Sequence, residues 1–325
     1  MRFQQLKAER LSHTIVNSLP HDRSWLLAKA EPTALFQDSM DRWIGAMVAD
    51  EHGGGDSSED TILGRISAKA NGIIAGISVV NRLVVEHFSE CNVTWAVTEG
   101  DDVESGDQIL DISGPAVQIL RCERIMLNIL GRMSGIATNT ASWISQAGNM
   151  GVACTRKTDW GLLDKWAVHV GGGLTHRLSR ADALMIKEND LAALAPGIDE
   201  EDIAVAAAVS LIDMESDAEF TVIEVRDARQ AKAAIKAWES LQVERSGCEK
   251  IVLLLDNMGP SGCGEVHQIM MEENLRAWCI LEGSGGVIYE DLNQWIESGV
   301  DLVSTSALNR GVSPLDLSMK VVGGD

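Results

Sequence analysis

Six apolar runs in the second half of the chain end in residues able to bind or move charge. GVACT precedes Arg156, Lys157 and Thr158, and ALMI precedes Lys187, Glu188, Asn189 and Asp190. FTVIEV contains Glu224 near its end, and IVLLL runs into Asp256 and Asn257. AWCIL is followed by Glu282, Gly283, Ser284, Gly285 and Gly286, and DLV by Ser304, Thr305 and Ser306. Arg156, Lys157, Arg177 and Lys187 supply positive charge, the chemistry that holds a small polyanion. Glu224 and Asp256 add two carboxylates without a His/Cys cluster, which suits Mg2+ held largely through substrate phosphates. A Ser284-Gly285-Gly286 turn after a strand, facing Ser304 to Ser306, suits a backbone cradle for phosphate. No Ser-His-Asp or Cys-His pattern offers a covalent nucleophile.

The apolar runs must be strands, because amphipathic stretches such as EEDIAVAAAVSLIDME, ARQAKAAIKAWESL, GEVHQIMMEE and YEDLNQWIESG lie between the later ones. Near-continuous apolar strands alternating with helices predict a parallel sheet covered by helices. Six repeats suit a barrel or partial barrel, whose site lies at the C-terminal strand ends. Ahead of this part, CERIMLNILGRMSGIATNTASWISQA has helical spacing. TILGRISAKANGIIAGISVV, NVTWAVTEG and DQILDISGPAVQIL read as short β-rich pieces cut by Gly turns. EGDDVESGDQILDISGPA has the look of a lipoyl or biotinyl carrier, but no lysine occurs between Lys69 and Lys157, so it is read as structural. Residues 1–50 read as helices broken around Pro20 and Pro32, followed by a Gly-rich acidic loop from His52 to Ser58.

The chain has 325 residues and a formal net charge of −21, with a pI near 4.7. Such a field repels nucleic acid and anionic membrane, and a 45% hydrophobic content excludes disorder. The charge is uneven. Residues 121–190 hold nine Lys/Arg against six Asp/Glu, a local +3, and the remainder carries −24. Six scattered cysteines without a C-x-x-C pair point to reduced thiols and a cytoplasmic protein. The N-terminus lacks the apolar core of a signal peptide, and no apolar run approaches the roughly 18 residues of a membrane span. Gly171 to Gly173 reads as a tight turn, and His176 suits either a structural or a site role. His13, His21, His52, His87, His169 and His267 show no partner pattern and are expected at the surface or in packing.

The blocks C-E-R-I-M-L-N-I-L-G-R-M-S-G-I-A-T (122–138), T-R-K-T (155–158), A-V-H-V-G-G-G-L-T-H-R-L (167–178), L-M-I-K-E-N-D (184–190), L-L-D-N (254–257), S-G-G (284–286) and P-L-D-L-S-M-K (314–320) resemble the quinolinate phosphoribosyltransferase family. The resemblance runs colinearly from about residue 60 to 320. It implies conversion of quinolinate and phosphoribosyl pyrophosphate to nicotinate mononucleotide, pyrophosphate and CO2, with Mg2+, in de novo NAD biosynthesis. It also implies an α/β protein with an N-terminal α/β sandwich (1–127, residues 1–50 a helical extension), an incomplete parallel α/β barrel (128–312) and a C-terminal segment (313–325) returning to the first domain. The working unit it implies is at least a homodimer, with the site completed by the neighbouring subunit.

Residue by residue, the resemblance gives Arg156, His176 and Arg177 to the quinolinate carboxylates, Thr155 to substrate binding, and Arg124 to a reach from the partner subunit. Lys157 and Lys187 match lysines near substrate and pyrophosphate, and Glu224 and Asp256 match acids for ribose hydroxyls and metal. Ser284, Gly285, Gly286, Ser304, Thr305 and Ser306 match the loops around the 5′-phosphate. Ser306 stands where the family commonly has glycine, and Arg310 is expected to replace a missing histidine as a phosphate partner. Asp190, Val222 and the Asp159-Trp160 pair also depart from the common pattern. The competing readings are a non-carboxylating nicotinate phosphoribosyltransferase, a molybdate-locus paralogue, a Schiff-base aldolase using Lys157 or Lys187, and a non-enzymatic anion-binding paralogue.

Overall fold

Strands that are apolar on both faces need cover on both faces. The computed structural model, which describes residues 19–51, 60–213 and 219–322, arranges them accordingly. In chain order its elements begin with α1 (Ala34–Asp50), β1 (Thr61–Ala68), β2 (Gly72–Ile73), α2 (Ile77–His87), β3 (Asn92–Trp95), β4 (Asp102–Val103), β5 (Gln108–Pro115) and α3 (Ala116–Ala147). Next come β6 (Gly151–Cys154), α4 (Leu162–Val170), β7 (Leu184–Ile186), α5 (Glu188–Leu194), α6 (Glu201–Ser210), β8 (Thr221–Val225) and α7 (Ala228–Arg245). The chain closes with β9 (Ile251–Asp256), α8 (Gly259–Glu272), β10 (Cys279–Ser284), α9 (Leu292–Glu297), β11 (Leu302–Thr305) and β12 (Leu317–Val322). Packing divides these into two compact units.

The parallel unit comprises Met1–Asp22, Ser145–Arg156 and His176–Ala307. Its six strands lie in the order β6-β11-β10-β9-β8-β7. That is a cyclic permutation of chain order: the last strand pairs with the first, and β6 and β7 are the sheet's two edges. This is the incomplete α/β barrel expected from the alternation. β9 reads buried at every position except Asp256, as the run IVLLL demands. The crossover helices are punctuated by local chemistry. Asp227 caps α7 by accepting from the Gln230 N–H at 2.9 Å. Pro260 stands in the first turn of α8, where its missing N–H costs nothing.

The antiparallel unit comprises Arg23–Ile144, Lys157–Thr175 and Leu308–Asp325. Its sheet has the order β12-β1-β5-β3, and β12 pairs antiparallel with β1. The C-terminal strand therefore belongs with the N-terminal sheet. Gly171 and Gly173 serve packing here. A Cβ on Gly171 would strike the Ala137 carbonyl and lie 2.7 Å from Thr140 Cβ, and one on Gly173 would lie 2.7 Å from Val168 Cγ1.

Two stretches read as β-rich are helical. GISVV enters α2, and AVQIL opens α3. In α2 Val79, Val80, Leu83 and Val84 are buried, while Val85 faces outward. The Glu99 carboxylate accepts the Gly76 and Ile77 N–H groups at 2.8 and 2.9 Å, satisfying donors at the helix start. Burial on a helical stripe outweighs the strand preference of β-branched residues. The segment read as a carrier look-alike forms β4, β5 and their turns, as expected. The helices expected over residues 1–18 and the loop from His52 to Ser58 lie outside the described residues.

Candidate functional site

Strand register in the parallel unit sets the C-terminal ends level. Ser284 of β10 stands beside Asp256 of β9 and beside Ser304 of β11, and Ser304 stands beside Ala153 of β6. Glu224 of β8 lies level with Leu254, two residues short of Asp256. Thr155 and Arg156 leave the end of β6, and Lys187 leaves β7. Lys187 Nζ donates to Glu224 Oε2, and Arg226 pairs with Glu188. Asn257 Nδ2 donates to Asp256 Oδ2 at 2.9 Å.

Gly285 cannot be replaced without cost. Its φ is +89°, and a Cβ there would strike Asn257 Oδ1 and approach Asn257 Cγ to 2.7 Å. Asn257 itself has φ +56°, and its N–H donates to the Ser284 carbonyl at 2.9 Å. The β9 and β10 ends thus lock together around the glycine turn.

Arg177 is half-buried with a guanidinium pushed below its ordinary range by burial, and further by the positive charges of Arg156 and Arg180. Its Nη1 donates a long bond to the Ala183 carbonyl at 3.4 Å. Among the described residues, no carboxylate lies within ion-pair distance of Arg156, Arg177 or Arg180. Arg156 and Arg180 add positive charge around Arg177, which the carboxylates of Glu282 and Asp182, beyond ion-pair distance, partly offset.

His176, beside them, is 5% exposed and adopts φ +51°, rare for a residue with a Cβ. Its Nδ1 accepts the Arg177 N–H at 2.7 Å. The ring proton is therefore on Nε2, which donates to Glu282 Oε1 at 3.1 Å. Glu282 is fully buried; burial alone would raise its pKa, but His176 and His21 outweigh that and hold it well below the usual carboxylate range. His21, expected at the surface or in packing, is fully buried and donates from Nε2 to Glu282 Oε2 at 3.0 Å. Sequence reasoning placed Glu282 at a strand end without a role. It had no signal for His21, because the two residues are 261 positions apart.

Three expected site residues fall in the antiparallel unit. Arg124 projects exposed from α3, Lys157 follows the Arg156 boundary, and Arg310 lies 3.8 Å from Asp159. A buried carboxylate that sequence reasoning missed orders this region. Asp164 takes both prongs of Arg132 at 3.0 and 2.8 Å, the Asp159 N–H at 2.9 Å, and Asn309 Nδ2 at 3.1 Å. Asn309 also donates to the Lys157 carbonyl at 3.0 Å. Arg132 stacks 5.0 Å from the Trp160 ring. Its guanidinium is opposed by burial, but Asp164 and Asp159 raise it above the ordinary value.

Two family models match the chain. Quinolinate phosphoribosyl transferase, N-terminal domain, covers residues 56–134, and Quinolinate phosphoribosyl transferase, C-terminal domain, covers residues 136–320. A probable nicotinate-nucleotide pyrophosphorylase (carboxylating) of Methanothermobacter thermautotrophicus is 32% identical over 268 residues, spanning 81% of this chain and 89% of its own. The chloroplastic nicotinate-nucleotide pyrophosphorylase (carboxylating) of Arabidopsis thaliana is 35% identical over 263 residues, 78% of this chain and 72% of its own. The crystal structure of NadC from Streptococcus pyogenes superposes with a TM-score of 0.72 at 27% identity, covering 90% of this chain and all of that one.

Proposed function

The chain belongs to the quinolinate phosphoribosyltransferase family, and we infer from that membership and from its site that it joins quinolinate to phosphoribosyl pyrophosphate. The products are nicotinate mononucleotide, pyrophosphate and CO2, a step of de novo NAD biosynthesis. The observation that carries the reading is the half-buried Arg177 with the positive charges of Arg156 and Arg180 beside it, none of the three ion-paired with a carboxylate among the described residues.

Quinolinate is a planar dianion, and planar guanidinium groups grip carboxylates in bidentate pairs that lysine cannot reproduce. A bound dianion would offset the burial of Arg177 and the positive charges of Arg156 and Arg180, the causes that push its guanidinium down. His176 has both ring nitrogens engaged, by Glu282 and by the Arg177 N–H. We therefore assign it to setting the Arg177 backbone, and the carboxylates to the arginines.

The pyridine nitrogen attacks C1 of the ribose as the bond to pyrophosphate breaks, building positive charge on the sugar. Glu224 and Asp256, on neighbouring strands, stabilise that charge and take the ribose hydroxyls. Lys187, released from Glu224, and Lys157 attract the departing pyrophosphate. Loss of the 2-carboxylate as CO2 leaves the C–C electron pair on the pyridine carbon, fixed cations stabilise that charge with little reorganisation, and a proton from water then takes up the pair to form the C–H bond of the product. The Ser284–Gly286 and Ser304–Ser306 loops, with Arg310, take the 5′-phosphate. Glu224 and Asp256 present only oxygen donors, which fits a hard divalent cation. Mg2+ bound there and through substrate phosphates would neutralise the leaving group.

We further propose a homodimer in which Arg124, exposed on α3, completes the partner's site. A cytoplasmic location is supported by six free thiols, and none of the described helices is long and apolar enough to cross a membrane. Mixing the protein with quinolinate, phosphoribosyl pyrophosphate and Mg2+ should yield nicotinate mononucleotide. Failure with quinolinate but turnover of nicotinate would move the protein to the non-carboxylating transferases.

A further inference from the structure

The segment before Arg23 lies outside both matched family regions, residues 56–134 and 136–320, yet it carries an imidazole into the interior of the parallel unit. His21 and Glu282 are both fully buried, and the His21 ring meets the His176 ring edge-on at 4.8 Å. Phe220 packs on both, at 5.2 and 6.2 Å between centroids.

Glu282 divides its two oxygens between the imidazoles, Oε2 to His21 at 3.0 Å and Oε1 to His176 at 3.1 Å. Those lengths are ordinary for N–H···O hydrogen bonds. Two histidines and a glutamate are also a zinc donor set. A metal, however, would need both Nε2 atoms deprotonated and pointed at one centre, whereas here each nitrogen addresses its own oxygen.

The bonds form a chain. His21 fixes one oxygen of Glu282, the other oxygen fixes His176 Nε2, and His176 Nδ1 takes the Arg177 N–H at 2.7 Å. The left-handed backbone of His176 is strained for a residue with a Cβ, so it must be held by its surroundings. We propose that His21 is a positioning residue for the carboxylate-binding arginine, acting through Glu282 and His176 on Arg177. Without His21, Glu282 Oε2 loses its donor inside the core. The carboxylate then turns or takes up a proton, His176 loosens, and Arg177 no longer meets the substrate carboxylate in register.

This inference rests on the quinolinate reading, and its test separates the two. Binding of quinolinate by titration calorimetry and both KM values should be measured for the wild type, His21→Ala, His21→Leu and His21→Gln. His21→Leu refills the space beside Phe220 without a donor; His21→Gln restores an N–H at similar reach. Losing a buried hydrogen bond to a charged group should weaken quinolinate binding about 10- to 100-fold in the Ala and Leu variants. KM for phosphoribosyl pyrophosphate should stay within about twofold, and Gln should recover quinolinate binding to within about threefold of wild type. A merely structural role would depress both substrates alike and would not distinguish Gln from Leu, and that outcome overturns the proposal. So does wild-type quinolinate affinity in His21→Leu. Should the wild type itself neither bind nor turn over quinolinate, the functional reading fails first and this inference with it. One zinc per chain in protein purified without chelator, lost in His21→Ala, would show a metal centre instead.

Discussion

Replacing Gly285 with alanine perturbs the proposed phosphate turn at one atom. The φ of +89° alone costs a residue with a Cβ about 1–2 kcal/mol. The added methyl also strikes the Asn257 amide and sits 3.0 Å from Asn257 Cα, so side-chain rotation alone cannot clear it. Asn257 must move, and with it the 2.9 Å bond from its N–H to the Ser284 carbonyl and the 2.9 Å bond to Asp256. Displacing the turn should remove one charge-assisted hydrogen bond to the 5′-phosphate, about 1.5–3 kcal/mol. That predicts a rise of about 10- to 100-fold in KM for phosphoribosyl pyrophosphate and little change for quinolinate. Steady-state rates with each substrate varied in turn measure it. The double variant Asn257→Gly/Gly285→Ala removes the side-chain collision, though not the close approach to the residue-257 Cα, and should recover part of the loss. An unchanged KM for phosphoribosyl pyrophosphate, or an equal rise for quinolinate, would refute the assignment of this turn.

Arg177→Lys should raise KM for quinolinate about tenfold or more by losing a bidentate pair, read from initial rates. Arg310→Ala should raise KM for phosphoribosyl pyrophosphate alone; an equal effect on quinolinate would remove Arg310 from the phosphate site. Asp164→Ala leaves Arg132 without its buried partner and should cost about 3–5 kcal/mol in denaturant unfolding, discounted toward the lower figure because Arg132 is part-exposed. Because the folded pKa of Glu282 lies below its unfolded value, its contribution is present above about pH 4.5 and is lost as pH falls through the folded value. Glu282→Gln should flatten that part of an acid-denaturation curve, and an unchanged acid limb would contradict the assignment. Burial pushes the Cys122 and Cys263 thiols up to about 12 and Cys279 to about 11, while Cys248 is exposed. A thiol reagent at pH 8 should therefore label Cys248 rapidly and those three only on unfolding.

What the sequence made legible followed the strength of local signals. KIVLLLD and FTVIEV are apolar on both faces, so their placement in a buried parallel sheet needed no further information, and the charged residues at their ends came with it. The valines of GISVV pointed to a strand because β-branching is a local preference. Their helical burial depends on what α2 packs against, and its first N–H groups are satisfied by Glu99, more than 20 positions away. The arginines were visible as a local excess of positive charge, but the burial of Arg177 beside Arg156 and Arg180 was not. Least visible were residues whose role exists only across long separations. Asp164 gathers Arg132 and Asn309 from 32 and 145 positions away. His21 finds Glu282 across 261 positions. Neither pairing leaves a spacing pattern, since hydrogen-bonded partners on different elements carry no periodicity.

Quinolinate isotopically labelled in its 2-carboxylate, supplied with phosphoribosyl pyrophosphate and Mg2+, provides the decisive count. Labelled CO2 and nicotinate mononucleotide should appear in equal amounts, with both abolished in Arg177→Ala. Nucleotide formed from nicotinate without CO2, or tight quinolinate binding that never releases label, would contradict a carboxylate-gripping, decarboxylating transferase.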